Sequence, residues 1–268
     1  MSSQTGKGDR IDAIMEQASK ALVARRYFEA ERLAASALRK AHMRRDYERM
    51  GRILLPLLEA RRQKRDLAFD AAKSGAVFVV DAEVPSGRKL VPGCYLVAPP
   101  RVGLDGRQLR EAADRREVPV IVTVREPTTR DGLWPVVALG PVTVRAKVAP
   151  PTSPGKKGKS GGLKSVASKG AKPPKSGAVT VAVEPPPTPE WFLEANEHLG
   201  DAGIALAIQS SPHARVDALM NALEAIPDHE KLHQRLMDAA HEAQHAPVRR
   251  QAAGPVASAD DDQDPDLE

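Results

Sequence analysis

The residues best suited to chemistry lie late in the sequence, where HEKLH spans His229 to His233 and HEAQH spans His241 to His245. Histidines four apart on a helix point the same way and can share a zinc ion, while the glutamate after the first can activate the metal-bound water. That is the chemistry of a zinc-dependent hydrolase, and it also requires a third protein ligand. The longer form of the motif fails after His233, because Leu236 and Ala239 stand where a glycine and a third histidine would be, and after His245 only a polar stretch follows. His229, His233, His241 and His245 are therefore weak metal candidates. The competing expectation is an outer helix with Leu232, Leu236, Ala239 and Ala243 as its apolar face and the histidines at its flanks or in solvent. No catalytic residue, metal or cofactor is assigned.

Two other places invite the same question. Cys94 is the single cysteine, which excludes an internal disulfide and a cysteine-based zinc cluster, and it reads as a small buried hydrophobe because no histidine lies near it in sequence. Gly103, Asp105 and Gly106 form a loop before a helix, where backbone donors can hold an anion. The glycine spacing of a dinucleotide or phosphate loop is missing, so a bend that needs glycine is the reading taken here.

Charge gives a different hint. Net charge is +5, and the basic residues are concentrated. A first group runs from Arg25 to Arg65 with glutamates interspersed, which reads as a solvated face carrying helical ion pairs, or alternatively as a basic surface for an acidic peptide or nucleic acid. A second group, Lys156, Lys157, Lys159, Lys164, Lys169, Lys172 and Lys175, falls in a Pro/Gly/Ser-rich span with no acidic neighbour. Mutual repulsion would keep that span extended as a disordered basic linker over 150–177, whose composition is similar to that of linker-histone tails and suits phosphate contacts. A disordered acidic tail over 247–268 carries Asp260, Asp261, Asp262, Asp264, Asp266 and Glu268, which reads as a solubilising segment, or alternatively as one that folds back on the lysine span or the arginine-rich helices and competes with an acidic partner.

The elements that must position these groups begin with a helical hairpin after a disordered start at 1–9. In Tyr27 to Leu38, Ala30, Leu33, Ala34, Ala37 and Leu38 recur at helical spacing, and the small alanines suit close approach to a preceding helix. That partner is capped by Asp9 and carries Ile11, Ile14, Met15, Ala18 and Leu22, with Arg25-Arg26 as a polar turn. The pair resembles one tetratricopeptide repeat, with Tyr27, Ala30, Ala37 and Leu38 at the second helix's marked positions, Ala18 where glycine is favoured and His42 where proline is common. A second partial match places Gly203, Leu206, Ala222, Leu223 and Pro227 at the repeat's spacing. The resemblance implies a surface for a partner protein, built from about three stacked copies.

A third helix over Asp46 to Ala60 is expected to kink or break at Pro56, followed by a separate piece from Arg62 to Ala72 that carries Leu67 and Phe69 toward a sheet. Strands follow at Ala76 to Asp81, Cys94 to Ala98, Val118 to Arg125, Trp134 to Leu139 and Val142 to Val148, with a helix from Asp105 to Arg116 between the second and third. Alternation in the last strand favours a mostly antiparallel sheet, with one parallel pair allowed through the helix. Ala178 to Glu184 is a candidate strand. Thr188-Pro189-Glu190 starts a helix that Gly200 and Gly203 are expected to break or bend, and Ser211-Pro212 and Pro227-Asp228 open two more.

The fold class is therefore α+β. TPR-like helical segments at 10–74 and 188–246 flank a small α+β domain at 75–149, with a connector at 178–187, and the C-terminal hairpins are expected to pack on the N-terminal ones. No apolar run reaches membrane-spanning length, and the chain reads as cytoplasmic. The function expected is non-enzymatic protein–protein interaction, with Arg25, Arg26 and Arg32 as candidate contacts for a partner protein, an acidic peptide segment being one form such a partner could take. A nucleic-acid-associated protein and a zinc hydrolase are the rival classes.

Overall fold

The computed structural model describes residues 5–82, 89–151, 186–208 and 211–247, with side chains from residue 10 onward. In these residues the chain forms α1 (Thr5–Val23), α2 (Tyr27–Met43), α3 (Tyr47–Lys73), β1 (Val77–Val80), β2 (Gly93–Val97), α4 (Gly103–Arg115), β3 (Val120–Arg125), β4 (Trp134–Leu139), β5 (Thr143–Val148), α5 (Pro189–Leu206), α6 (Pro212–Ala225) and α7 (Glu230–His245). The class is α+β, with helices at both ends of a mixed sheet. The basic span with its lysines, the candidate strand at Ala178 to Glu184 and the acidic run lie outside the described residues.

The first hairpin forms because alanines let α1 and α2 close on each other, burying Ala18, Ala30, Ala34 and Ala37. Helix α1 begins at Thr5, so Asp9 lies inside it and is no cap. Both turns of the three-helix segment use one device. Arg25 and Arg45 take left-handed φ values of 58° and 54°, and the next amide reaches back to the carbonyl of Ala21 or Ala41. These are Schellman ends, which usually place glycine at that position.

Helix α3 runs unbroken through Pro56, against the expected kink and separate second piece. The amide that proline lacks would have served the Arg52 carbonyl. Arg52 and Leu55 are exposed while Ile53, Leu54, Leu57 and Ala60 are buried, so the missing bond falls on the wet side, where water can serve that carbonyl. Leu67 is turned outward, whereas Phe69 packs against the core beside the buried Ala68 and Ala72.

The sheet, in the order β1-β2-β3-β4-β5, is half parallel, which corrects the mostly antiparallel expectation. β1, β2 and β3 run parallel, and β3, β4 and β5 antiparallel. The alternation of β5 is that of an edge strand and does not extend to β2, all five of whose residues are buried. Such a strand needs cover on both faces. Cys94 and Leu96 join the main core with residues of α3 and α5, whereas Val97 packs with Val124, Val137 and Leu109 of α4 on the other side. Gly103 and Gly106 are inside α4, not in a bend before it. A Cβ on Gly106 would lie 2.2 Å from a Val124 methyl, so the glycines let α4 lie flush on the sheet.

One buried cluster runs from Ile11 in α1 to Ala243 in α7, joining the sheet to both helical groups. Trp191 and Trp134 meet edge to face at 5.6 Å, and Trp191 Nε1 donates to the Ala149 carbonyl at 2.8 Å. The chain thus enters α5 beside the point where it left β5, and Pro151 and Pro187 are both buried there. Helix α5 is continuous. Gly200 and Gly203 are buried contact points within it and do not break it.

Candidate functional site

The HEKLH segment sits where α7 packs against α3. His229 is the N-cap of α7, its Nδ1 accepting from the Leu232 amide at 3.3 Å. The other nitrogen therefore carries the proton, and it stands 3.3 Å from Glu197 Oε2 without hydrogen-bond geometry. His233 Nδ1 donates to the His229 carbonyl at 2.9 Å, and its Nε2 accepts from the Arg61 guanidinium at 3.2 Å. Both rings are fully buried, which corrects the expectation that they lie at the flanks or in solvent. For His229 the reason is Gly200, whose missing side chain leaves room for the ring at 2.0 to 2.2 Å from a would-be Cβ, and for His233 it is the contact with Arg61 of α3.

With one nitrogen protonated and the other accepting from a guanidinium, His233 has no lone pair left for a metal. Burial, with Arg61 beside it, pushes its pKa down to about 3, so the ring is neutral. Glu230, the would-be base, instead accepts from Arg65 at 2.7 Å. Around it Arg61 and Lys64 both bind Glu31, and Lys64 reaches Asp114 on α4 at 2.6 Å. Although burial opposes ionisation, the two cations hold the Glu31 carboxyl down at about 2. This network ties α2, α3, α4 and α7 in one register. Removing one partner would leave a buried charge uncompensated, which typically costs about 3–5 kcal/mol.

The HEAQH pair has a different setting. His241 and His245 are exposed, stacked edge to face at 4.9 Å, while Glu242 between them pairs with Arg215. Among the described residues no group of three or more His, Cys, Asp or Glu is placed to hold a metal ion. Cys94 is buried, its thiol pushed up to about 12 by burial and then by the charge of Glu190, so it is no nucleophile. At the start of α4, Asp105 accepts from the Val102 amide at 2.8 Å and from Arg101, so a carboxylate already occupies the place an anion would take.

The candidate partner arginines are spread along one end of α2. Arg25 is exposed in the turn, Arg26 pairs with Glu29, and Arg32 reaches Glu117 at 2.9 Å. The other end of α2 faces α6 across a groove of about 380 Å³ lined by Arg39, Lys40, Met43, Met220 and Glu224. One end is bridged by His42 Nε2 and Asp217 Oδ1 at 2.6 Å. Arg39 is exposed and makes no ion pair among the described residues, and Lys40 contacts only the Ser36 hydroxyl there. Met43 is 76% exposed. Arg39 and Lys40 belong to the basic group between Arg25 and Arg65. Nothing in the sequence marks the groove or Met43 as its lip, because the groove exists only once α6, far along the chain, is brought opposite α2.

No described helix is long and apolar enough to cross a membrane. The chain matches no family model, no curated protein and no solved structure.

Proposed function

We propose that this chain is a non-enzymatic interaction scaffold whose α2–α6 groove takes an acidic segment of a partner protein. The observation that carries the reading is the pair Arg39 and Lys40, two cations without a carboxylate partner among the described residues, beside the exposed Met43 thioether. A carboxylate-rich strip with one apolar residue would be complementary to that lip, and methionine adapts to varied apolar partners. The α1–α2 hairpin supports a tetratricopeptide-like kinship, with small residues buried between antiparallel helices. The α5–α6 match departs from it, since Leu206 is 59% exposed.

The test is fluorescence anisotropy of a labelled glutamate- and leucine-containing peptide against the full chain and an Arg39→Glu, Lys40→Glu double variant. Binding that weakens about tenfold or more at low salt supports the reading. Unchanged affinity overturns it.

A further inference from the structure

The α2–α6 groove lies within reach of an occupant carried by the chain itself. Near the end of α7, Glu242 pairs with Arg215 in the first turn of α6. The same end of α6 sets the His213 ring against Tyr47, tilted, at 5.4 Å and bonds Asp217 to His42. The last described residue, Pro247, therefore follows an end of the bundle that also holds the C-terminus of α2 and the exposed Met43. From Pro247 to Asp260 are 13 residues. Extended, that many span about 43 Å, whereas a 17-residue helix such as α2 is only about 26 Å long. The acidic run can reach any part of the groove.

Its chemistry is the complement of the lip. Residues 259–268 carry Asp260, Asp261, Asp262, Asp264, Asp266 and Glu268, no cation, and Leu267 as the one large apolar side chain. We infer that this acidic run docks in the α2–α6 groove, its carboxylates against Arg39 and Lys40 and Leu267 against Met43, so that it competes with the partner segment for the same site. This inference rests on the groove being the recognition site. A short tether supplies an effective concentration of about 1 mM, so a run with an intrinsic Kd of about 0.1 mM would weaken a free competitor about tenfold.

The experiment compares two full-length proteins, the natural chain and one in which Asp260, Asp261, Asp262, Asp264 and Asp266 become Asn and Glu268 becomes Gln. The probe is a labelled decapeptide with the sequence of residues 259–268, titrated at low salt. The proposal expects the neutralised chain to bind the probe about tenfold tighter than the natural chain, and expects that gain to vanish when Arg39→Glu and Lys40→Glu are added. Exposed Arg39→Gln alone is the milder check that the effect is local to the groove. Equal binding to both proteins, still lost on groove charge reversal, would overturn the docking of the acidic run and leave the groove as a recognition site. A gain that survives the groove reversal would place the run elsewhere, on Lys156 to Lys175 for instance, and would equally overturn it. No binding to any form would remove the groove reading and this inference together.

Discussion

Two segments of one helix share the pattern His-Glu-x-x-His and have opposite surroundings. At its start, His229 and His233 are sealed under Gly200 and against Arg61, with three of their four nitrogens committed to the Leu232 amide, the His229 carbonyl and a guanidinium. At its end, His241 and His245 stand in solvent. The pattern is thus silent about environment. What separates the two is the neighbour each meets, a glycine-notched α5 and the middle of α3 for the first pair, and open water for the second. The first pair acts as structure, joining α7 to α3. The second is a surface feature that α7 does not depend on.

The strongest way to break this contrast is to fill the notch. Gly200→Ala should destabilise the chain by about 3 kcal/mol, because overpacking must displace a fully buried ring that also caps α7. Urea denaturation followed by far-UV circular dichroism would measure it, and a loss below about 1 kcal/mol would mean that the ring can move aside.

Acid sharpens the contrast next. In the unfolded chain His233 titrates near its ordinary value of 6.5, but in the folded chain not until about 3. The unfolded state therefore binds the extra proton between those values, and stability is fully present above 6.5 and lost as pH falls toward 3. Each unit of separation is worth about 1.4 kcal/mol. Burial lowers His229 as well, so it adds to the same slope. Glu31, moved from 4.5 to about 2, contributes stability that is present above 4.5 and lost as pH falls toward 2. Denaturation midpoints measured from pH 7 to 4 should fall steadily in the natural protein. In His233→Gln, which keeps an acceptor for Arg61, the part of that fall between 6.5 and 4.5 should shrink.

The smallest effect is expected at the other pair. Replacing His241 and His245 together by alanine should change stability by less than about 0.5 kcal/mol, since both are exposed. A larger loss in the same denaturation assay would show that the second pair also supports the fold.

These outcomes bear on what the sequence could disclose. Periodicity located α2, the strand Trp134–Leu139 and the Thr188 cap, whose hydroxyl accepts from the Trp191 amide, because each depends on residues close in sequence. It placed Leu232, Leu236, Ala239 and Ala243 correctly on the buried face of α7. It misjudged His229 and His233, because a flank is wet or dry according to what a distant helix brings near it. The same limit explains the sheet. Strand direction depends on the path taken by α4, which hydrophobic alternation in β5 does not report. Pro56 was read by its intrinsic cost, whereas its position on the exposed side of α3 decides whether that cost is met by water. The α2–α6 groove is the clearest case, since its two walls are more than 170 residues apart in the chain.

The indole bond from Trp191 to Ala149 has a consequence for how this chain tolerates change. It holds the start of α5 beside the end of β5, so the C-terminal helices are fastened to the sheet by contacts among the described residues themselves. Two points already held together feel a change in the length of chain joining them only through a closure entropy that grows with the logarithm of that length. Adding or removing residues between Ala149 and Trp191 should therefore cost the described body little.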